Sequence, residues 1–135
     1  MNTPLRAIPS CCLALMLLGT ASTSLAQTSA ANGGERGFRQ YCKACHSLTP
    51  GKGSRLGPAL NGVPGQKAGT APGYAYSDAL KTSGIVWSEA EFMSYLRAPA
   101  KRIPGTKKLL PGVNNEQALQ AIYRYLATLP RTGGR

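Results

Sequence analysis

The sequence predicts an all-α fold of three main helices joined by long loops, and three observations carry that reading. Apolar residues recur at helical spacing in three places, while no strand-like alternation and no internal repeat is found. Residues 47–76 are rich in glycine and contain Pro50, Pro58, Pro64 and Pro72, so they form a long loop that needs something to pack on. Finally, Cys42-Lys43-Ala44-Cys45-His46 has the spacing at which two thiols add across the two vinyl groups of one porphyrin, holding the adjacent histidine beneath the iron. The loops are therefore expected to wrap around one covalent haem, attached through Cys42 and Cys45.

The first helix is expected over residues 33–44, where Phe38, Tyr41 and Cys45 follow at spacings of three and four and the thiols emerge at its C-terminal end. Ser88-Glu89-Ala90-Glu91 reads as a capping box ahead of Phe92, Tyr95 and Leu96, with Pro99 stopping that helix. A second box at Asn114-Asn115-Glu116-Gln117 opens the last helix, whose apolar side carries Leu119, Ile122, Tyr125, Leu126 and Leu129, with Pro130 beyond it. Between these two helices lies an irregular strap, residues 100–113.

The chain has 135 residues and 16 Lys and Arg against 5 Asp and Glu, which bounds it to one small, strongly basic domain. Arg6, the mostly apolar stretch 8–19 and the small-x-small site Ser24-Leu25-Ala26 form an export signal, so residues 1–26 are expected to be removed and the mature chain to begin near Gln27. Residues 27–32 then form a short flexible N-terminus, 33–130 the folded domain and 131–135 a flexible tail. Cys11 and Cys12 stand at the start of the signal's apolar region, a poor place for a lipidated cysteine. No later stretch reaches the roughly 20 apolar residues of a membrane span. The mature protein is expected to be soluble and periplasmic. Its roughly 109 residues have limited apolar side chain to bury, and a large flat cofactor supplies the missing core.

Two rivals compete for the cysteines. A zinc site lacks the usual four protein ligands, and an exported dithiol would call for a thioredoxin-like strand and helix pattern that is not visible.

From Gly34 to Leu129 the sequence resembles the class I c-type cytochromes of mitochondria and alphaproteobacteria. Gly34 and Phe38 with Ile122 and Tyr125 match that family's crossing of first and last helices. Gly57-Pro58-Ala59-Leu60 matches the segment whose proline carbonyl accepts the histidine N–H. The runs Pro72-Gly73-Tyr74-Ala75-Tyr76-Ser77-Asp78-Ala79 and Gly84-Ile85-Val86-Trp87 match the propionate side, where the resemblance implies hydrogen bonds from Tyr76 and Trp87. Tyr95 matches the tyrosine beside the haem, and Ile103-Pro104-Gly105-Thr106-Lys107 matches the distal strap. The resemblance implies a small mono-haem cytochrome c fold and single-electron transfer, with Pro58, Leu60, Tyr76, Trp87, Tyr95 and Thr106 around the haem and no catalytic residue.

One departure bears on the iron. The family places its distal methionine ligand directly after Ile-Pro-Gly-Thr-Lys, where this chain has Lys108. Met93 stands two residues from Tyr95, about 200° around a helix, and so faces away from the haem if Tyr95 faces it. His46 is the only histidine. In one reading Lys108, or its neighbour Lys107, binds iron as a neutral amine; deprotonating a free lysine at pH 7 costs roughly 4 to 5 kcal/mol, less if the site is buried. In the other, the distal position is water-bound or open and admits small ligands or peroxide. Both lower the reduction potential, because a thioether favours ferrous iron more than an amine or water does. Leu80 stands where many relatives carry an asparagine, and Gln66 where they carry an arginine near a propionate.

Lys43, Arg55, Lys67, Lys101, Arg102, Lys107 and Lys108 would gather near the haem edge of the resembled fold and steer docking onto acidic redox partners, such as membrane-bound or periplasmic oxidoreductases. Nucleic acid is not an expected partner of an exported haem protein. The sequence thus reads as a monomeric, exported single-electron carrier. The alternatives are a ligand-binding or peroxidatic haem protein with an open sixth position, and a dedicated subunit of a periplasmic dehydrogenase.

Overall fold

The computed structural model describes residues 22–108 and 111–131. Most of the expected export signal, and residues 132–135 of the expected tail, lie outside the described residues. Among the described residues five helices follow in order: α1 (Ser22–Tyr41), α2 (Asp78–Lys81), α3 (Glu89–Arg97), α4 (Pro99–Arg102) and α5 (Glu116–Thr128). Among the described residues the only β-type pairing is an isolated bridge between Lys67 and Val86.

Helix α1 begins well before the expected residue 33. The preceding stretch is rich in alanine and has no glycine or proline to break it, so the helix runs through the expected cleavage position and through residues 27–32. It also ends earlier than expected, at Tyr41. The thiols sit on the tight turn that follows, in which the amides of Cys42 and Lys43 both donate to the Phe38 carbonyl (2.8 and 2.9 Å) and the His46 amide donates to that of Cys42 (2.9 Å).

Three glycines in α1 would ordinarily weaken a helix by roughly 0.5–1 kcal/mol each. Two of them serve the crossing with α5. A Cβ at Gly34 would overlap the Ala121 carbonyl and Tyr125 Cβ, and one at Gly37 would lie 2.8 Å from Ile122 Cγ1. The close approach seats Phe38 against Tyr125 with ring centroids 6.4 Å apart, and it leaves Leu119, Ile122 and Leu126 of α5 without solvent exposure. Each such burial is worth about 1.5–3 kcal/mol.

Caps set the other helix starts. The Ser88 hydroxyl accepts the Glu91 amide at 3.2 Å, opening α3 where the sequence places it. The box is not reciprocal, because the Glu91 carboxylate takes the Arg102 guanidinium in a two-pronged bond of 2.9 and 2.7 Å. Asn115, whose side-chain oxygen accepts the Ala118 amide at 2.9 Å, caps α5. Pro99 ends α3 and also starts α4, since a proline at the first helical position loses no hydrogen bond. The strap expected to be irregular therefore opens with a helical turn. At its far end the Val113 amide donates to Leu96 (2.9 Å), and Gly112 packs on the Arg97 carbonyl so closely that a Cβ there would overlap it.

The buried side chains form two clusters. One gathers Phe38, Cys42, Phe92, Ile122 and Leu126, the other Ala68, Leu80, Ile85, Tyr95 and Ile103, and Trp87 and Leu96 pack against both. Pro130 and Arg131 close over residues 61–65: the Asn61 side-chain amide donates to the Pro130 carbonyl at 3.0 Å, and Arg131 reaches the Pro64 carbonyl at 3.4 Å.

Candidate haem site

A cavity of about 300 Å³ borders both clusters, and all ten residues singled out in the sequence line it: Cys42, Cys45, His46, Pro58, Leu60, Tyr76, Trp87, Tyr95, Thr106 and Lys108. Both cysteines are free thiols, Cys42 buried and Cys45 partly so. Burial pushes the Cys42 thiol up to about 11, although Lys108 pulls the other way. Among the described residues no group of three or more His, Cys, Asp and Glu side chains is placed so that it could hold a metal ion.

His46 Nδ1 lies 2.8 Å from the Pro58 carbonyl oxygen. A carbonyl only accepts, so Nδ1 carries the proton and Nε2 keeps its lone pair for a metal. Burial lowers the His46 pKa, the Pro58 bond raises it and Lys108 lowers it further, so the ring is held neutral overall, as ligation requires. Gly57 lies under the imidazole: a Cβ there would come within 2.6 Å of Nδ1 and 3.0 Å of Nε2. A mostly apolar cavity, two free thiols on one turn and a neutral imidazole with its second nitrogen free fit a covalently held haem.

On the strap side, the Tyr95 and Thr106 hydroxyls lie 2.7 Å apart, and the Lys108 amide donates to Thr106 Oγ1 at 3.5 Å. Lys108 is partly buried, and burial lowers its pKa against the opposing influence of the two thiols. Lys107 is exposed and its ammonium donates to the Ala75 carbonyl at 3.0 Å. Both lysines line the cavity; Lys107 is tied to the loop at Ala75, and Lys108 lies close enough to the thiols and the imidazole to influence their titration. Met93 is buried but does not border the cavity, as its angular offset from Tyr95 requires.

Burial raises the Tyr76 phenol to about 12, with a backbone hydrogen bond at Ala71 opposing. Tyr76 and Trp87 also border a smaller annex of about 90 Å³ beside Asn61, Gln66 and Thr70, a polar neighbourhood suited to a charged substituent. Leu80 lines the main cavity as part of the second apolar cluster. Three of the seven cations assigned to the docking face are engaged: Arg102 is paired with Glu91, Lys107 donates to the Ala75 carbonyl, and Lys108 lines the cavity.

Sequence reasoning missed Phe92 and Val113 as cavity residues, and placed Tyr74 only within the run matched to the propionate side. Phe92 was legible only as core of α3. The Tyr74 hydroxyl donates to the Leu56 carbonyl at 3.4 Å and its ring meets Tyr76 edge-on at 4.9 Å, a link between two loops that no periodicity signals.

A mostly helical domain with two free thiols and an adjacent neutral imidazole opening into one apolar cavity defines a protein that carries covalent haem c. Residues 31–130 match the family model described as cytochrome c. The chain is 48% identical over 94 residues to cytochrome c2 of Rhodoblastus acidophilus, covering 70% of this chain and 88% of that one. It is 43% identical over 115 residues to cytochrome c2 of Blastochloris viridis, covering 85% and 90%. Among solved structures it is similar to cytochrome cH from Methylobacterium extorquens, with 45% identity, a TM-score of 0.65 and coverage of 71% and 95%. The chain belongs to the cytochrome c family, and is an electron carrier, not an enzyme, with haem c attached through Cys42 and Cys45. No helix among the described residues is long and apolar enough to cross a membrane.

Proposed function

We propose that this protein is an exported, periplasmic single-electron carrier in which His46 and Lys108 hold the iron from its two sides, at a potential below that of relatives with a methionine ligand. The observation that supports it is the placement of Lys108 on the cavity that His46 lines, at a position where burial already lowers the cost of a neutral amine. Bound haem supplies the one-electron couple. In this reading Pro58 orients His46, Tyr76 and Trp87 face the propionates, Leu60 packs beside the proximal ligand, and Tyr95 with Thr106 supports the distal strap.

The surface favours acidic redox partners. All five acidic side chains, Glu35, Asp78, Glu89, Glu91 and Glu116, lie within 4 Å of an Arg or Lys, and none of those partners is Lys43, Arg55, Lys67 or Lys101, which are exposed. Such a field steers association with an acidic protein and needs no second copy of the chain. Processing after residue 26 would deliver this domain as a monomer.

Optical and EPR spectra of the ferric holoprotein test the ligation. A low-spin spectrum lost in Lys108→Ala, kept in Lys107→Ala and replaced by a methionine-type spectrum in Lys108→Met is the expected outcome. A high-spin parent that binds carbon monoxide readily after reduction would overturn it in favour of an open distal position.

A further inference from the structure

We infer that Tyr123 is a positioning residue for Trp87, so that helix α5 fixes one wall of the haem cavity through a single side-chain hydroxyl. The Tyr123 hydroxyl donates to the Trp87 carbonyl at 3.0 Å. The same carbonyl accepts the Gly65 amide at 2.9 Å, and the Trp87 amide donates to Gln66 at 2.9 Å, so the backbone of Trp87 is held from two sides. The loop side of that grip is a short isolated pairing. The α5 side is rigid, because its neighbours Ile122 and Leu126 are fully buried against α1. The Tyr123 ring is itself braced on Phe92, with centroids 5.5 Å apart, which leaves the hydroxyl little freedom to point elsewhere.

Trp87 then carries this constraint into the site. Its ring lies 5.3 Å from that of Tyr95, and both border the cavity that holds His46. The residue after it, Ser88, caps α3, so a shift of the Trp87 carbonyl also moves the start of the helix that presents Tyr95. The inference rests on the haem lying in this cavity and on Trp87 facing it. Its physical content is that removing one oxygen atom from α5 loosens an indole on another segment.

The test uses the ferric holoprotein, in which Trp87 is the only tryptophan. Removing the Tyr123 hydroxyl leaves the Trp87 carbonyl held by the Gly65 amide alone. Loss of one net hydrogen bond raises the population in which that grip is open roughly fivefold. Tyr123→Phe, which keeps the ring on Phe92, should therefore speed amide exchange at Gly65 by about that factor, and should lower the midpoint potential by admitting water to the cavity wall. Tyr125→Phe, on the same helix, should do neither. Exchange and potential that stay at the parent values in Tyr123→Phe overturn the inference, as does an equal change in Tyr125→Phe, which would signal general loosening. If the phenylalanine variant does not mature, slow amide exchange at Gly65 in the parent protein, lost in Tyr123→His, supports the same grip, and fast exchange in the parent overturns it. Trp87 indole protons without a haem ring-current shift in the ferrous parent would remove the indole from the haem and with it the premise of the cavity reading.

Discussion

The hydroxyls of Tyr95 and Thr106, 2.7 Å apart, join helix α3 to the strap that carries Lys108. Burial raises the Tyr95 phenol above its ordinary range, with the Thr106 bond opposing, so the phenol stays neutral and needs a partner. Thr106→Val keeps the shape and removes that partner. The cost expected is about 1–3 kcal/mol, the penalty for a buried polar group left unmade, while Thr106→Ser should recover most of it. Guanidinium unfolding of the ferric holoproteins measures this; equal midpoints for the valine and serine variants would rule the bond out as a stabilising element.

Gly57 leaves no room for a side chain beneath His46. A methyl group there would collide with the ring at Nδ1 and Nε2 and force either the imidazole or the Pro58 carbonyl to move. Gly57→Ala is expected to lose about 1–3 kcal/mol through overpacking, and to lower the yield of protein with haem attached. Normal yield together with an unchanged ferric spectrum would show that the loop yields without disturbing the ligand.

The acid limb of the Lys108 titration follows from its burial. Its pKa is lower in the folded chain than the ordinary value of 10.5. Between the two values the unfolded chain holds more protons than the folded one, so stability rises with pH across that window. The contribution is complete above 10.5 and is lost as pH falls through the folded value. Thioether formation removes the two thiols that oppose this lowering. Acidification should therefore release the amine and convert the ferric spectrum from low to high spin, and Lys108→Met should not show the transition. The same transition in both proteins would assign it to His46 instead.

The parts of the site that the sequence made legible are those set by local chemistry. Cys42, Cys45 and His46 follow from the spacing a porphyrin imposes, and the starts of α3 and α5 follow from Ser88 and Asn115, whose side chains satisfy the first free amides. Lys108 stands out in the sequence because the resembled pattern Ile103-Pro104-Gly105-Thr106-Lys107 is kept up to it. Other features depended on contacts between distant segments. The one-turn helix α2, capped by Ser77 through the Leu80 amide at 3.3 Å, is too short to show a period. Glu91 read as half of a capping box, yet Arg102, eleven residues on, offers its carboxylate a charged fork at 2.9 and 2.7 Å. The early start of α1 was hidden because the same alanine-rich stretch serves equally as the end of an export signal and as a good helix former. Tyr123 lies off the apolar stripe that the last helix's spacing marks, and only the fold brings its hydroxyl to the Trp87 carbonyl, 36 residues away in sequence.

Adjacent glycines in α1 should respond to the same substitution with opposite signs. In a helix interior, glycine to alanine ordinarily stabilises by about 0.5–1 kcal/mol through backbone entropy. Gly33 has room for that gain, because an added Cβ would meet only Ala121 Cβ, at 4.0 Å. Gly34 does not, since its Cβ would overlap the Ala121 carbonyl and Tyr125 Cβ and drive α1 away from the helix whose Leu119, Ile122 and Leu126 form the best buried part of the core. Gly33→Ala should raise the thermal midpoint of the holoprotein slightly, whereas Gly34→Ala should lower it by the equivalent of about 1–3 kcal/mol or more as the crossing opens. If both variants were stabilised alike, the two helices would be free to separate without loss, and the crossing would not be the element that holds the thiol-bearing turn against the rest of the fold.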